Sequence, residues 1–307
     1  MPDAGPAVTP KRMEHRRPDR LTLGAFGAAA LLGGTSTVAV HFSNVELPPF
    51  WGAAVRLGSA SILLFVGAAA LRLTLPRGRA LAGAALFGLL AFTVTYAQFY
   101  WAVLHLPAGF AQTIMAVVPL MTVFLAVAHG VERFRGRAVA GALLAAGGIL
   151  LVFGQRPGGA VSLVALLALL GAAASTAESG VLIKWFPPSH PVVFNAVAMA
   201  VGSTGLLALS AAAGERPVLP AQPATQVALG YLVLFGSVGF FLLYVFVYQR
   251  WTASAAAYQF LLFPFGTVAL DAWLVGETIT PMFLIGGALV LVGVYVGAFS
   301  ETRKVLG

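Results

Sequence analysis

Residues 108–132 read AGFAQTIMAVVPLMTVFLAVAHGVE, and residues 253–277 read ASAAAYQFLLFPFGTVALDAWLVGE. The second stretch follows the first by 145 positions, and the two align without a gap. Ala108, Ala111, Pro119, Thr122, Val123, Leu125 and Glu132 meet identical residues at Ala253, Ala256, Pro264, Thr267, Val268, Leu270 and Glu277. Further on, Gly141, Leu144 and Gly148 meet Gly286, Leu289 and Gly293. In each copy a proline interrupts an apolar helix, an acid ends that helix, and a glycine-bearing apolar helix follows.

Composition sets the solvent for this pattern. Of 307 residues, 59% are hydrophobic and 9% charged, and the mean hydropathy is +0.91. A soluble domain carries roughly 25% charged residues, so this chain is solvated by lipid. With no cysteine, disulfides and thiolate metal sites are excluded. Runs of about 20 apolar residues, the length that spans a bilayer, fall at 21–41, 49–71, 80–103, 107–129, 137–154, 161–183, 190–212, 226–248, 252–275 and 280–298. The expected fold is an all-α polytopic membrane protein with ten transmembrane helices. Connections are short and rich in turn formers, leaving no extramembrane domain for soluble catalysis. Residues 1–20 read as a disordered basic cytoplasmic tail rather than a signal peptide, because the following apolar run is too long and nine more follow.

Lysine and arginine placement orients the chain. With the N-terminus inside, the inner segments hold 15 of the 18 basic residues, from Lys11 through Arg77 and Arg133 to Lys304. The outer loops hold Arg156 and Arg216, and Arg56 falls within a helix. The formal charge of +8 therefore reflects membrane orientation and not a nucleic-acid partner. Both termini are expected in the cytoplasm. Five helices per copy is an odd number, so the second copy enters from the opposite side. The expected domains are two inverted five-helix repeats, 21–154 and 160–298, followed by a cytoplasmic tail at 299–307. Paired Gly/Pro-interrupted segments in such repeats point to a transporter's substrate site near the midplane.

The order of motifs resembles the drug/metabolite transporter superfamily, and specifically its EamA-type permeases. The resemblance covers about residues 21–298. It rests on Gly33-Gly34-Thr35 in the first helix, Pro49 followed by Arg56 in the second, and the exit of the third from Tyr96 to Leu106. Ala108, Ala111, Pro119, Glu132 and Gly141 complete it. It implies efflux or exchange of small metabolites, such as amino acids or related amphipathic compounds, across the cell inner (plasma) membrane without ATP hydrolysis. Val201 stands where the second repeat would carry its counterpart of Arg56.

Pro119 and Pro264 each withdraw an N–H and free the carbonyl four residues earlier, on Met115 and Phe260. A free carbonyl in hydrocarbon needs a partner, which a neighbouring helix, water or a substrate supplies. Tyr96 and Tyr100 share a helix face, Gln112 leads to Met115, and Tyr258 and Gln259 precede Pro264. With Tyr244, these rings and amides suit a neutral or zwitterionic small-molecule substrate; the alternatives are tyrosines hydrogen-bonded between helices or an interfacial aromatic belt, which Trp101, Tyr248 and Trp251 fit well. Three intramembrane charges are functional candidates. Arg56 suits a substrate carboxylate, a helix C-terminus or Asp271. Asp271 suits an external gate or an interfacial acid. Glu178, on one polar face with Ser175 and Ser179, suits proton coupling, an amine-binding carboxylate or a structural hydrogen bond.

The five histidines lack metal-ligand spacing, and no catalytic or cofactor motif is present. The expectation is no catalytic residue, no metal and no cofactor. Gly293 and Gly297 form a small-residue packing motif that leaves both a monomer and a dimer open. Two rival readings stand beside the metabolite exporter: a proton-coupled antiporter of cationic drugs using Glu178, and a multi-pass membrane enzyme acting on a lipid-linked substrate.

Overall fold

The computed structural model describes residues 18–103, 105, 114–153, 162–275 and 281–299. Within them the regular structure is helical throughout, without a strand. Lipid enforces this, because only a helix satisfies its own backbone N–H and C=O groups within one segment. The helices are α1 (Arg20–Asn44), α2 (Pro49–Ala70), α3 (Gly78–Gly88), α4 (Thr95–Val103), α5 (Val118–Ala128), α6 (Gly136–Phe153) and α7 (Leu163–Trp185). They continue as α8 (Pro191–Ala212), α9 (Pro223–Tyr231), α10 (Phe240–Arg250), α11 (Ala253–Ala257), α12 (Gln259–Val275) and α13 (Pro281–Val294).

Among the described residues, seven helical stretches are long and apolar enough to cross a membrane: 20–44, 49–70, 78–99, 163–185, 191–212, 223–250 and 281–299. A helix of 22 residues spans about 33 Å, slightly more than the hydrocarbon core. Val118–Ala128 and Gly136–Leu151 are shorter apolar helices. Leu31, Ile62, Val66, Leu150, Leu284 and Leu291 are exposed, as residues facing acyl chains should be. Pro49, Pro191, Pro223 and Pro281 stand first in their helices, where the missing N–H would have had no partner.

Two differences from the sequence reading matter. The third and eighth apolar runs are not regular α-helices. Each passes through a π-helical stretch, Leu89–Val94 between α3 and α4 and Leu232–Gly239 between α9 and α10. Such wider turns leave carbonyls without their usual partners. The Leu90 carbonyl accepts the Thr95 N–H across such a turn, and the Thr95 hydroxyl donates to it as well at 2.8 Å. The two prolines also differ. Pro264 lies inside α12, whereas Pro119 falls in the first turn of α5, after a turn at residues 116–117. Pro119 therefore starts a helix, and only Pro264 interrupts one.

Helices pair in a regular scheme. α2 lies along α8, α6 along α13, α1 along α12 and α5 along α7. Small residues permit the closest approaches. A Cβ on Gly141 would lie 2.5 Å from the Gly293 carbonyl oxygen, and one on Gly148 would lie 2.6 Å from that of Gly286. Between α2 and α8 the ties are reciprocal: Ser61 donates to the Ala196 carbonyl and Ser203 to that of Ala54, both at 2.8 Å. The Gly293–Gly297 motif is consumed inside the bundle, packed on Ala145, Gly141 and Tyr258.

Candidate functional site

A cavity of about 460 Å³ lies between α1, α2, the α3–α4 path, residues 115–116, α6, α7, the α9–α10 path and α12. It reaches the exposed residues His41 and Asn44 at the α1–α2 end of the bundle. Its deep wall holds Thr176, Ser179 and Tyr244, all buried. Past them the bundle is sealed. Tyr244 stacks on Tyr248 at 4.4 Å between ring centroids, and Trp251 meets Phe26 at 5.5 Å and Phe299 at 5.0 Å.

Both ends are tied by carboxylates on backbone N–H groups. At the open end Glu215 accepts from the N–H groups of Phe50 (3.1 Å) and Trp51 (2.8 Å), at the start of α2. Glu46 accepts from Ala221 (2.8 Å) and Gln222 (3.1 Å), just before α9. Those two donors hold the Glu46 carboxyl below its ordinary pKa. At the sealed end the buried Glu132 accepts from the Ser254 N–H at 3.1 Å and the Ser254 hydroxyl at 2.5 Å, at the start of α11. Arg135, in the following turn, is half-buried; burial lowers its pKa, and the Glu132 carboxylate opposes that shift.

Small residues let α12 form one wall. A Cβ on Gly34 would lie 2.5 Å from the Phe263 carbonyl oxygen, and Thr267 donates to the Gly34 carbonyl at 2.9 Å. The Gly33-Gly34 opening of the first helix thus brings Phe260, Phe263 and Pro264 up to the cavity. Arg56 reaches it from α2. Its Nε donates to the Ser237 hydroxyl at 2.7 Å and its Nη2 to the Gly236 carbonyl at 2.9 Å, both in the second π stretch.

Of the residues singled out in the sequence, the cavity wall brings together Arg56, Tyr96, Met115, Tyr244, Phe260 and Pro264. Others fall elsewhere. Pro119 is buried off the wall. Tyr258 is buried and donates its hydroxyl to the Ala138 carbonyl at 2.6 Å. Gln259 is buried with neither amide atom hydrogen-bonded among the described residues. Glu178 faces His129, with its Oε1 3.0 Å from Nε2, and does not line the cavity. The histidine's Nδ1 lies 3.0 Å from the Leu125 carbonyl. Gln112 and the side chains of Tyr100 and Asp271 lie outside the described residues. Tyr248 and Trp251, which fit an aromatic belt by position, are buried, while Trp101 is 39% exposed.

Several wall residues escaped the sequence reading. Phe240 and Phe263 carry much of the aromatic surface, with ring centroids 5.6 Å apart. The spacing of four between Phe240 and Tyr244 was the available signal. Gly236 on the wall and the buried Ser237 beside it stand out only as a small pair within an apolar run.

The chain matches the EamA-like transporter family twice, over residues 21–154 and 163–298. It is 30% identical over 245 residues to the probable terminal-alkyne amino-acid exporter of Streptantibioticus cattleyicolor, covering 78% of this chain and 80% of that protein. It is 29% identical over 268 residues to the uncharacterized inner membrane transporter YedA of Escherichia coli K12, covering 84% of each. A solved crystal structure superposes with a TM-score of 0.75 at 19% identity, over 90% of this chain and 96% of that one, and so shares the fold. The chain is a multi-pass membrane protein that belongs to the EamA-like transporter family.

Proposed function

We propose that this protein exports or exchanges small metabolites, amino acids or related amphipathic compounds, across the bacterial inner membrane by alternating access. The observation that carries the reading is the cavity itself, open at one end and sealed at the other by Glu132 on Ser254. The charge distribution puts the α1–α2 end outside and both termini in the cytoplasm. On that orientation the cavity supports an outward-open reading. The relatives named as an amino-acid exporter and an inner membrane transporter support the cargo class and the membrane.

Ten spans in two inverted repeats supply the machinery. Gly141 and Gly148 align with Gly286 and Gly293, yet Gly141 packs on Gly293 and Gly148 on Gly286. That crossed pairing is what a two-fold axis between the repeats produces. The scheme of α1 on α12 and α5 on α7 has the same symmetry, as do the two π stretches. Rocking about this axis closes the outer mouth as the inner one opens. Glu132 aligns with Glu277, and Ser254 with Gly109. In the inward-open state Glu132 releases Ser254.

The cationic-drug antiporter finds no support in the position of Glu178, which faces His129 and not the cavity. The test is flux in liposomes. Purified protein should move aliphatic amino acids across the bilayer, with saturation, and no flux above empty liposomes would refute the reading.

A further inference from the structure

The described cavity wall contains a buried cation, Arg56, and no aspartate or glutamate. Both hydrogen-bond partners of Arg56 are uncharged, the Ser237 hydroxyl and the Gly236 carbonyl. Among the described residues no carboxylate lies within ion-pair distance of it, and its Nη1 makes no hydrogen bond. A guanidinium held in an apolar bundle with no counter-charge among the described residues is costly, and a neutral donor would serve Gly236 as well. The charge is explained if an anion enters the cavity.

The rest of the wall describes what that anion carries. Phe240, Tyr244, Phe260 and Phe263 form a continuous aromatic surface, with centroids 5.1 Å apart for Phe260–Phe263 and 5.7 Å for Phe240–Tyr244. One guanidinium balances one negative charge, so a phosphate dianion would leave a second charge against apolar rings. A carboxylate also matches the planar donor fork.

We propose that the cavity selects amphipathic monocarboxylates, holding the carboxylate on Arg56 and the apolar tail against Phe240, Tyr244, Phe260 and Phe263, and that it does not read an amine. This inference rests on the cavity being the transport site. It separates the substrate class from amino acids as such: a carboxylic acid lacking the amino group is an equal ligand, and an amine lacking the carboxylate is not one.

The test uses the full chain in nanodiscs and three ligands that share one aliphatic tail: L-leucine, 4-methylpentanoate and 3-methylbutylamine. The acid should compete with radiolabelled leucine within about 3-fold of leucine itself, and the amine should be at least about 30-fold weaker, the cost of losing one hydrogen-bonded charge partner. Arg56→Gln should weaken both carboxylates by about 30-fold or more. Arg56→Lys should fall between, because it keeps the charge and loses the fork. Amine binding equal to that of the acid overturns the proposal, as does unchanged carboxylate binding in a folded Arg56→Gln protein. If leucine is transported but 4-methylpentanoate does not compete, the anion proposal alone fails. Competition by the amine that disappears in Asp271→Asn would instead assign an amine subsite and overturn the claim. If no member binds and no amino acid is transported, the transport reading fails with it.

Discussion

Replacing Glu132 by alanine should release the sealed end of the bundle. Its carboxylate accepts two hydrogen bonds from Ser254 in a buried setting. Hydrogen bonds to a charged group are worth roughly 1.5–3 kcal/mol each, and part of that is recovered from water when the end opens. The net hold on the closed state is therefore about 2–4 kcal/mol. At about 1.4 kcal/mol per factor of ten, the alanine variant should shift the closed-to-open ratio by about 30- to 1,000-fold. Lys184 adds to the effect. Its ammonium is buried without a hydrogen bond among the described residues, and Glu132 supplies an attracting charge. Glu132→Gln keeps one acceptor and should give a smaller shift. The chain contains no cysteine, so spin labels can be placed directly by Arg133→Cys with Arg250→Cys. Pulsed electron resonance should show a longer, broader distance distribution in the alanine variant than in the parent. An unchanged distribution in a folded Glu132→Ala protein would refute the latch.

The two prolines should not be equivalent. Pro264→Ala restores an N–H to the Phe260 carbonyl inside α12 and straightens the cavity wall, a change of up to about 3 kcal/mol, so it should cut flux strongly. Pro119→Ala changes a first-turn position whose N–H lacks a helical partner, and flux should fall little; equal losses would contradict this. The Glu46 tie should respond to acid. Its folded pKa lies below the ordinary 4.5, so the tie is fully present above that value and is lost as pH falls through the lowered pKa. The amides of Ala221 and Gln222 should lose their excess hydrogen-exchange protection below that point, and at neutral pH in Glu46→Gln.

Much of the architecture was legible because lipid leaves few choices. Long apolar runs, short turns and first-position prolines locate helices without knowledge of their packing. The alignment of Gly141 with Gly286 and of Gly148 with Gly293 likewise showed in the sequence which positions pack closely, though not on what. The π stretches were not legible. A π turn is a register shift of one residue, and neither LLAFTV nor LVLFGSVG departs from ordinary apolar helix composition. The partners of Arg56, the Gly236 carbonyl and the Ser237 hydroxyl, both lie in that widened turn.

Face assignment failed for a related reason. The distance of Tyr258 and Gln259 from Pro264 points toward the cavity, but the helix breaks at Tyr258, between α11 and α12. The break turns that phenol to Ala138 and away from the wall. Tyr248 and Trp251 sit near a helix end, as belt residues do. Trp251 packs on Phe26 and Phe299 and Tyr248 on Gly180, all from distant parts of the chain, which no local pattern reveals. Glu132 lies beyond the end of α5 at Ala128, and its partner Ser254 is 122 residues away.

The central claim is that one cavity is exposed alternately to the two sides of the membrane, and Thr176, on its deep wall, reports this most directly. A single Thr176→Cys protein can be treated with a small membrane-impermeant sulfonate thiol reagent in right-side-out and inside-out vesicles. Labelling from both sides is predicted, with transported substrate slowing it and Glu132→Ala favouring the cytoplasmic side. Labelling from one side only, with substrate and with Glu132→Ala alike, would contradict alternating access.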